Sequence, residues 1–440
     1  MRFISTEGRA PPVTFGEAVL EGPAPDGGLY VPERLEPLTQ ADLDALSAGS
    51  LTDIARFLAR RLFGSGLPED DLAALLDEAL NFPVPLVEIE PGVHCLELFH
   101  GPTLAFKDIA ARVMSRLMSR ITARGQDTTV LVATSGDTGS AVAHAFSGLR
   151  GFRVCVLYPQ GLVTEAQRRL FTTLAGNVTA VAVEGVFDDC QRLVRRAFAD
   201  EDLRRARPLV SANSINIGRL LPQVFYYFHA WAQLARAGRH QGDPALVVST
   251  PSGNFGNLTA GLIARKIGLP IDRFVAATNI NDVVPAYLES GRFLPRESAA
   301  TISNAMDVGH PGNFARILHL YSDCGDTLTA LRRDLAGHAF DDRATRAAMW
   351  DMYEQRGVLL DPHTAVGYLG LKAELKAHGG TGIVLATAHP AKFAEVMRSA
   401  AGIDPPAPAA LRRCADLPER IIGIPAEYGA LRGVLTGGRH

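Results

Sequence analysis

A turn rich in glycine and polar residues, at 249–258, has the composition of an anion-binding site. Gly253 and Gly256 allow the backbone to fold tightly, so its N–H groups can point into a concavity at a helix start, which favours an anion such as phosphate. Asn254 and Asn257 add side-chain donors. The alternative is an ordinary glycine-containing turn. The segment is not a P-loop, because no Gly-Lys-Ser/Thr sequence follows.

A second turn, at 134–139, places hydroxyl and amide groups at another helix start. By the same reasoning it could hold a carboxylate or a second phosphate. The alternative is a helix start capped by Ser135 or Asp137, and the residues taken alone favour that alternative.

Lys107 follows the apolar pair Ala105 and Phe106 where a loop becomes a helix. Burial beside apolar side chains lowers the pKa of an amine and makes it a nucleophile suited to Schiff-base chemistry. The alternative is a solvated surface lysine, which is the usual state of this residue type.

Strands and helices are predicted to alternate after about residue 93, which indicates parallel sheets covered on both faces, with ligands at the carboxyl ends of the strands. The predicted strands are 93–99, 129–133, 152–157, 178–183, 209–212, 245–249, 273–278 and 382–386. The predicted helices are 41–63, 69–80, 108–124 (ended by Gly125), 140–146, 165–174, 188–205, 219–237, one from the 251–257 turn to Lys266, 345–355 and 391–400. Residues 280–344 are expected to mix loops and short helices.

The composition excludes several functional classes. Lys plus Arg (44) nearly balances Asp plus Glu (47), so no overall field points to nucleic acid or to an anionic membrane. The sequence has neither a secretory signal nor an apolar run long enough to cross a membrane. The five cysteines are widely spaced without a CxxC motif, which argues against a disulfide framework or a zinc site and suits a reducing compartment. A cytoplasmic protein without a bound metal is expected.

The blocks that carry these features also resemble a known family. The segment ELFHGPTLAFKD (97–108) looks like the segment of threonine synthases that carries the lysine for pyridoxal 5′-phosphate (PLP). TSGDTG (134–139), SINIGRLLPQ (214–223), SGNFGN (252–257) and ATAHPAKF (386–393) resemble other blocks of that family in the same order. FIST (3–6) and DGGLYVP (26–32) resemble its N-terminus, so the resemblance spans nearly the whole chain.

The resemblance implies an α/β fold of the tryptophan synthase β-like class, PLP fold type II. This fold has two parallel-sheet α/β domains plus an N-terminal region. We place the N-terminal region at 1–90, the domain with the PLP lysine and the SGDTG loop at 91–225, and the larger domain with the phosphate loop at 226–440.

The resemblance also implies which residues bind the cofactor. Lys107 would bond covalently to the PLP aldehyde, and Thr387 would face the pyridine nitrogen. Asp137 would lie beside the 3′ oxygen, where an ionised carboxylate cannot donate to a phenolate. Either its proton is shared or a backbone amide donates instead. The cofactor phosphate would be held by Gly253, Asn254, Phe255, Gly256 and Asn257.

Substrate contacts are implied in two further blocks. Ser135 and Thr138 are candidates for the substrate carboxylate, and Ser214, Asn216 and Arg219 are candidates for the substrate phosphate. The alternative for the second block is a helix start capped by Ser214 with Arg219 on the surface. In a further block, 361–365, His363 and Thr364 line the site or simply belong to a capped helix start; both interpretations explain them equally.

The activity implied is conversion of O-phospho-L-homoserine and water into L-threonine and phosphate, with Lys107 as the general acid and base at Cα. A phospho-lyase on the same scaffold, which would give a keto acid, remains an alternative. So does an amino-acid dehydratase, although its SSGNHAQG-like and GGGGL-like blocks differ from those here. A non-catalytic relative is disfavoured by the intact Lys107 and phosphate loop, and a nucleotide-binding enzyme by the missing P-loop and GxGxxG motifs. The sequence leaves the oligomeric state open.

Overall fold

The computed structural model describes residues 1–122, 127–238 and 244–437. Its strands form three sheets, two of them large and mainly parallel. In chain order the strands are β1 (Phe3–Ser5), β2 (Tyr30–Pro32), β3 (Leu86–Glu90), β4 (Val93–Glu97), β5 (Thr128–Ala133), β6 (Phe152–Pro159), β7 (Val178–Glu184), β8 (Leu209–Ser211), β9 (Leu246–Pro251), β10 (Arg273–Thr278), β11 (Leu335–Ala339), β12 (Thr381–Ala386) and β13 (Ile421–Pro425).

The six-stranded sheet has the order β11-β10-β9-β12-β4-β3, and all its neighbours are parallel except β3 with β4. The five-stranded sheet has the order β13-β7-β6-β5-β8 and is parallel throughout. Central strands such as β5 and β9 are buried along their whole length, as expected for a sheet covered by helices on both faces. The predicted α/β class is confirmed.

Helices cover both large sheets. In chain order they are α1 (Phe15–Glu21), α2 (Gln40–Ala48), α3 (Leu51–Phe63), α4 (Glu69–Ala79), α5 (Lys107–Ile121), α6 (Asp137–Phe146), α7 (Glu165–Thr172), α8 (Phe187–Ala199), α9 (Glu201–Ala206), α10 (Ile217–Leu220), α11 (Val224–Arg236), α12 (Gly256–Lys266), α13 (Val283–Ser290), α14 (Phe314–Leu320), α15 (Thr327–Asp334), α16 (Asp342–Arg356), α17 (Pro362–His378), α18 (Ala394–Ala401), α19 (Ala409–Ala415) and α20 (Tyr428–Thr436). Short 3-10 turns occupy Leu221–Gln223, Asn304–Met306 and Pro390–Phe393.

Two helices expected as single elements are each divided by a capping residue. The predicted helix 41–63 is α2 and α3, because Ser50 Oγ accepts a hydrogen bond from Asp53 N and so begins a new helix. The predicted helix 188–205 is α8 and α9, divided at Asp200, whose carboxylate caps α9. A polar side chain that bonds to the backbone ahead of it thus ends one helix and starts the next.

Other predicted helices differ at their ends. The predicted helix 219–237 is interrupted by a 3-10 turn, because Pro222 has no N–H to donate to the helical ladder. The predicted helix 391–400 begins as a 3-10 turn before α18. The helix predicted at 108–124 is α5, and its expected end at Gly125 lies outside the described residues.

Every strand expected from the sequence is present, with ends within two residues of those predicted. Five of the described strands were not expected: β1, β2 and β3 near the N-terminus, and β11 and β13. β11 lies in the stretch predicted as loops and short helices, and β13 lies close to the C-terminus, where it pairs with β7.

Sheet membership does not follow the linear order of the chain. β3 and β4 belong to the six-stranded sheet together with strands from the second half of the chain. Conversely, β13 and α20 return to the five-stranded sheet, where Leu431 packs with Leu193 and Val183. The boundaries proposed at residues 90 and 225 therefore remain a prediction about linear segments, while each of the two large sheets draws strands from both sides of residue 225.

Three properties bear on the class of protein. None of the helices within 1–122, 127–238 and 244–437 has both the length and the apolar character needed to cross a membrane. All five cysteines are free. Within the same described ranges, no cluster of three or more His, Cys, Asp or Glu side chains is arranged to hold a metal ion.

We expect Leu431→Ala to lower the free energy of unfolding by about 2–5 kcal/mol, because the leucine is fully buried between α20 and the five-stranded sheet. Urea denaturation followed by circular dichroism measures this change. Leu417→Ala is the matched control: that side chain is 47% exposed, and its removal should change stability by less than about 0.5 kcal/mol. Equal effects of the two substitutions would show that the C-terminal segment does not stabilise the sheet.

Candidate active site

A cavity of about 420 Å³ lies at the carboxyl ends of β5, β8, β9 and β12. Strands of both large sheets therefore contribute turns to it. All but one of the site residues predicted from the sequence line this cavity. They are Lys107, Ser135, Asp137, Thr138, Ser214, Arg219, Gly253, Asn254, Phe255, Gly256, Asn257 and Thr387.

Lys107 is the first residue of α5, and its side chain is only 16% exposed. Its Nζ lies 3.8 Å from Asp137 Oδ2. Burial lowers the pKa of Lys107 to about 8; Asp137 opposes this shift, and the nearby charges of Lys392 and Arg219 add to it. The amine is therefore partly neutral near neutral pH, as a nucleophile requires. The alternative of a solvated surface lysine does not apply.

The turn before Lys107 is held by the aspartate that follows it. The buried Asp108 carboxylate accepts hydrogen bonds from Thr103 N (2.8 Å) and from Thr103 Oγ1 (2.6 Å). A Cβ atom at Gly101 would lie 2.5 Å from Asp108 Oδ2, so this position needs a residue without a side chain. The turn fixes the direction from which Lys107 enters the cavity.

Asp137 is the first residue of α6 and is buried between two lysines. Its Oδ1 lies 2.5 Å from Lys392 Nζ and accepts a hydrogen bond from Gln167 Nε2 (2.9 Å). Burial by itself would raise the pKa of Asp137, but Lys392 and Lys107 outweigh it and hold that pKa well below the usual range. The carboxyl is thus ionised, and of the two possibilities left open by the sequence, sharing of its own proton is disfavoured.

Lys392 was missed by the sequence reasoning. It lies in the 3-10 turn after β12, its side chain is 0% exposed, and its Nζ also donates to the carbonyl of Thr103 (3.0 Å). Its signal was present, because a lysine between Ala391 and Phe393 in the turn after a predicted strand stands where ligands bind.

The turn 252–257 presents its backbone at the start of α12. The first N–H groups of a helix have no acceptor within the helix, so they can bind an anion. Phe255 adopts a left-handed conformation (φ 58°), which is uncommon outside glycine and marks a constrained turn. A Cβ atom at Gly253 would lie 2.7 Å from Met306 Cα, so only glycine fits this close approach.

The two asparagines of this turn brace it. Asn257 Nδ2 donates to the carbonyl of Pro251 (2.9 Å), and its Oδ1 accepts from Ser252 Oγ. Asn254 Nδ2 donates to Ser214 Oγ (2.6 Å), while its Oδ1 accepts from Gly312 N (2.6 Å). The donors left for an anion are therefore mainly the backbone N–H groups.

Arg219 provides a second place for an anion. Its side chain is buried in α10, where Nη1 donates to the carbonyl of Ala212 (2.6 Å). Nε is buried and has no hydrogen-bond partner among the residues that the structure describes. Burial lowers the pKa of Arg219 to about 10, so the guanidinium stays charged at neutral pH. Ser214 Oγ accepts from Asn254 and faces the same cavity. The surface location considered for Arg219 does not apply.

Asn216 is the predicted site residue that does not line the cavity. Its Nδ2 donates to the carbonyls of Val19 (2.8 Å) and Ser211 (2.9 Å), and its Oδ1 accepts from Gly218 N (2.8 Å). Both amide protons and the amide oxygen are thus used to cap α10 and to anchor it to α1. The expected contact of Asn216 with substrate is therefore replaced by a structural role in holding α10.

Ser135, in the turn between β5 and α6, and Thr138, in the first turn of α6, face the cavity. Thr134 holds that turn, because its Oγ1 accepts hydrogen bonds from Gly136 N (2.9 Å) and Gly139 N (2.8 Å). The helix cap is Gly136, which makes no side-chain hydrogen bond, so the alternative of a cap formed by Ser135 or Asp137 does not apply. Ser135 and Thr138 therefore both line the cavity without capping the helix.

Two further residues complete the wall around Lys107. The carbonyl of Thr387 accepts a hydrogen bond from Phe106 N (3.0 Å), which places the threonine beside the lysine segment. His363 lines the cavity; it donates from Nδ1 to Asp361 (2.8 Å) and accepts at Nε2 from Ala305 N (3.2 Å). The 361–365 block is therefore both a helix start, capped by Asp361, and part of the wall.

The sequence reasoning also missed a strip of α8. Phe187, Gln191, Arg195 and Phe198 recur at three- and four-residue spacing and line the cavity. The charged residues of α8 conceal this strip in the sequence, and only the packing of α8 over the cavity shows which face turns inward.

Three family models match the chain: "Threonine synthase N terminus" over residues 2–80, "Pyridoxal-phosphate dependent enzyme" over 81–388 and "Threonine synthase, C-terminal" over 364–434. The chain belongs to the threonine synthase family. Threonine synthase from Serratia marcescens is 44% identical over 425 residues, which is 97% of this chain and 96% of the relative.

Solved structures of threonine synthases are equally similar. The crystal structure from Escherichia coli has a TM-score of 0.93 at 42% identity and covers 100% of both chains. The PLP-bound structure from Brucella melitensis has a TM-score of 0.93 at 35% identity and covers 100% of this chain and 99% of that one. The predicted family and fold type II are confirmed.

PLP is the cofactor of this family, and the site fits it. A phosphate needs a concavity lined by N–H groups, which the α12 start and Gly253 provide. An aldehyde needs an amine that is partly neutral, which Lys107 provides. The two features line one cavity, so a single molecule can use both.

We expect Gly253→Ala to weaken PLP binding about tenfold or more, because the added methyl group overlaps Met306 at a cost of about 1–3 kcal/mol. Absorbance titration of the apoenzyme with PLP measures the dissociation constant. Gly429→Ala is the matched control outside the cavity, since a Cβ atom there would meet no heavy atom within 4 Å. If both variants bound PLP as the parent protein does, the 252–257 turn would not be the phosphate site.

Proposed function

We propose that this chain converts O-phospho-L-homoserine and water into L-threonine and phosphate. The observation that carries the proposal is that one cavity combines the Lys107 amine with two separate anion-binding places, the start of α12 and Arg219. A cofactor phosphate and a substrate phosphate require two such places. The names of the relatives add support for the product.

The cofactor phosphate is assigned to the turn of Gly253, Asn254, Phe255, Gly256 and Asn257, and the bond to the aldehyde to Lys107. When bound, PLP supplies the electron sink for carbanion chemistry. Thr387 is assigned to the pyridine nitrogen; a hydroxyl there does not force protonation of the ring as a carboxylate would. Asp137, held ionised, is assigned as an acceptor beside the 3′ oxygen and Lys107.

The substrate is held at its two charged ends. Ser135 and Thr138 donate hydroxyl hydrogen bonds to its carboxylate, and Arg219 and Ser214 bind its phosphate. Nε of Arg219 has no hydrogen-bond acceptor among the described residues, and a bound anion would supply one. This arrangement is more typical of a ligand-binding arginine than of one that only stabilises the fold. This geometry suspends the carbon chain of the substrate across the cavity near Lys107.

Lys107 Nζ then moves protons. It takes the proton from Cα and, as a general acid, returns one later in the reaction. The net reaction breaks the Cγ–O bond and one Cβ–H bond, and it adds a hydroxyl at Cβ and a proton at Cγ. One water supplies the hydroxyl and a proton; this proton and the proton released from Cβ go to Cγ and to the departing phosphate. Arg219 is close enough to Lys107 for its charge to lower the pKa of the amine, so a phosphate bound at Arg219 would depart near Lys107. A phospho-lyase on this scaffold would lose the amino group and give 2-oxobutyrate instead.

The deciding experiment incubates the PLP-loaded protein with O-phospho-L-homoserine and quantifies phosphate, L-threonine and 2-oxobutyrate together. We expect phosphate and L-threonine in equal amounts and no product with Lys107→Ala. Phosphate with 2-oxobutyrate would replace the proposal by a phospho-lyase, and the absence of all three products would reject the substrate.

We expect Arg219→Gln to raise KM for the phosphorylated substrate about tenfold or more, because a charged hydrogen bond contributes about 1.5–3 kcal/mol. PLP affinity should change much less, since the cofactor phosphate is assigned to a different place and Arg219 acts on the cofactor only through the pKa of Lys107. Steady-state kinetics and PLP titration provide both values. Arg219→Lys keeps the charge, so its KM should rise less than that of Arg219→Gln. Arg236→Gln changes a surface arginine and should leave KM at the wild-type value.

The ratio of L-threonine to 2-oxobutyrate in Arg219→Gln separates two roles for the phosphate group. An unchanged ratio means that Arg219 binds the substrate and phosphate simply leaves. A ratio shifted towards 2-oxobutyrate means that the retained phosphate takes part in proton transfer. A wild-type KM would contradict the assignment of Arg219 to the phosphate.

A further inference from the structure

Lys392 makes two contacts that cross the molecule. Its Nζ lies 2.5 Å from Asp137 Oδ1 at the start of α6 and donates to the carbonyl of Thr103 (3.0 Å) in the turn before Lys107. The side chain is 0% exposed. It therefore joins, through one ammonium group, the turns that follow β5 and β12 and the turn that precedes α5.

Asp137 consequently faces two ammonium groups that differ in what they can do. Lys107 Nζ, at 3.8 Å, opens onto the cavity and must move when it exchanges protons with a ligand. Lys392 does not line the cavity and is anchored at a second point by Thr103. When Lys107 moves away, Lys392 remains, so the buried carboxylate always has a partner.

We propose that Lys392 is a positioning residue that keeps Asp137 ionised and oriented towards Lys107, and that its charge sets the fraction of Lys107 present as free amine. This inference rests on the proposed function only in assigning PLP to Lys107. It adds a residue outside the cavity to the groups that control the reacting nitrogen.

The direction of the effect follows from the charges. Lys392 and Lys107 repel each other, whereas Asp137 attracts both. Removal of the Lys392 charge should therefore raise the pKa of Lys107, and removal of the Asp137 charge should lower it. A residue that only supported the fold would not produce opposite shifts. Several charged and titratable groups face Lys107, Asp137 and Lys392 from the surrounding elements. They are Arg219 on α10, Asp108 on α5, His363 on α17, His144 on α6 and His389 in the turn after β12.

The test uses apoenzyme and PLP without substrate, so it stays interpretable even if the proposed substrate is wrong. The rate of covalent attachment of PLP is measured by absorbance as a function of pH, and the midpoint reports the titration of Lys107. Borohydride reduction and peptide mass mapping verify that Lys107 carries the label. The wild-type midpoint is expected near 8, because burial lowers the pKa of Lys107 to about 8.

Lys392→Met should raise this midpoint by about one pH unit, because a repelling charge is lost, and attachment at neutral pH should slow accordingly. Asp137→Asn should lower the midpoint, because the attracting charge is lost. Lys392→Arg keeps the charge and should stay within about 0.3 of the wild-type value, on the same reasoning. The double variant Lys392→Met/Asp137→Asn should fall between the two single variants and guards against misfolding of Lys392→Met, since it leaves no unpaired buried charge.

Lys372→Met is the matched control, because Lys372 also pairs with a carboxylate, Glu90 at 3.1 Å, but on the surface. Its midpoint should equal that of the wild type. A midpoint for Lys392→Met that is unchanged or lowered overturns the proposal. An equal upward shift in Lys372→Met also overturns it, because the effect would then come from overall charge.

Discussion

The burial of one carboxylate between two ammonium groups is the interaction on which the site depends. Taking ions out of water costs several kcal/mol each, so Asp137, Lys107 and Lys392 can be buried together only when they meet at short distances. The three residues come from turns far apart in the sequence. The cluster therefore exists only when the turns next to β5, α5 and β12 are all in place, which links the chemistry of the site to the completed fold.

Parallel sheets bring these turns together, and side chains within each turn then fix its shape. Asp108 binds the backbone of Thr103, Thr134 binds that of the SGDTG turn, and Asn257 binds that of Pro251. The polar residues of each block thus fall into two groups. One group bonds to the turn itself, and the other, exemplified by Ser135, is left free to face a ligand.

This division explains what the sequence can and cannot predict. Strand positions and the polar turns after them follow from local patterns, and those patterns located the cavity correctly. Whether a polar residue bonds to its own turn or faces the cavity depends on neighbours that are distant in the chain. Asn216 and Arg219 lie in one short segment. Asn216 donates a hydrogen bond to the carbonyl of Val19, whereas no described residue accepts one from Nε of Arg219. The role of Lys392 depends on its contact with Asp137, which lies some 250 residues earlier in the chain.

The two proposed anion sites bind their anions through different groups, and the proposed reaction explains why. Neutral N–H groups at the start of α12 suit a cofactor phosphate that also has a covalent bond to Lys107 and must stay. A single buried guanidinium suits a substrate phosphate that must bind and then leave, because its attraction is strong but rests on one side chain. Leaving Arg219 Nε without a partner costs the fold about 1–3 kcal/mol. On the proposed assignment of the substrate phosphate to Arg219, binding of that anion would recover this cost, so part of the binding energy would already be stored in the folded protein.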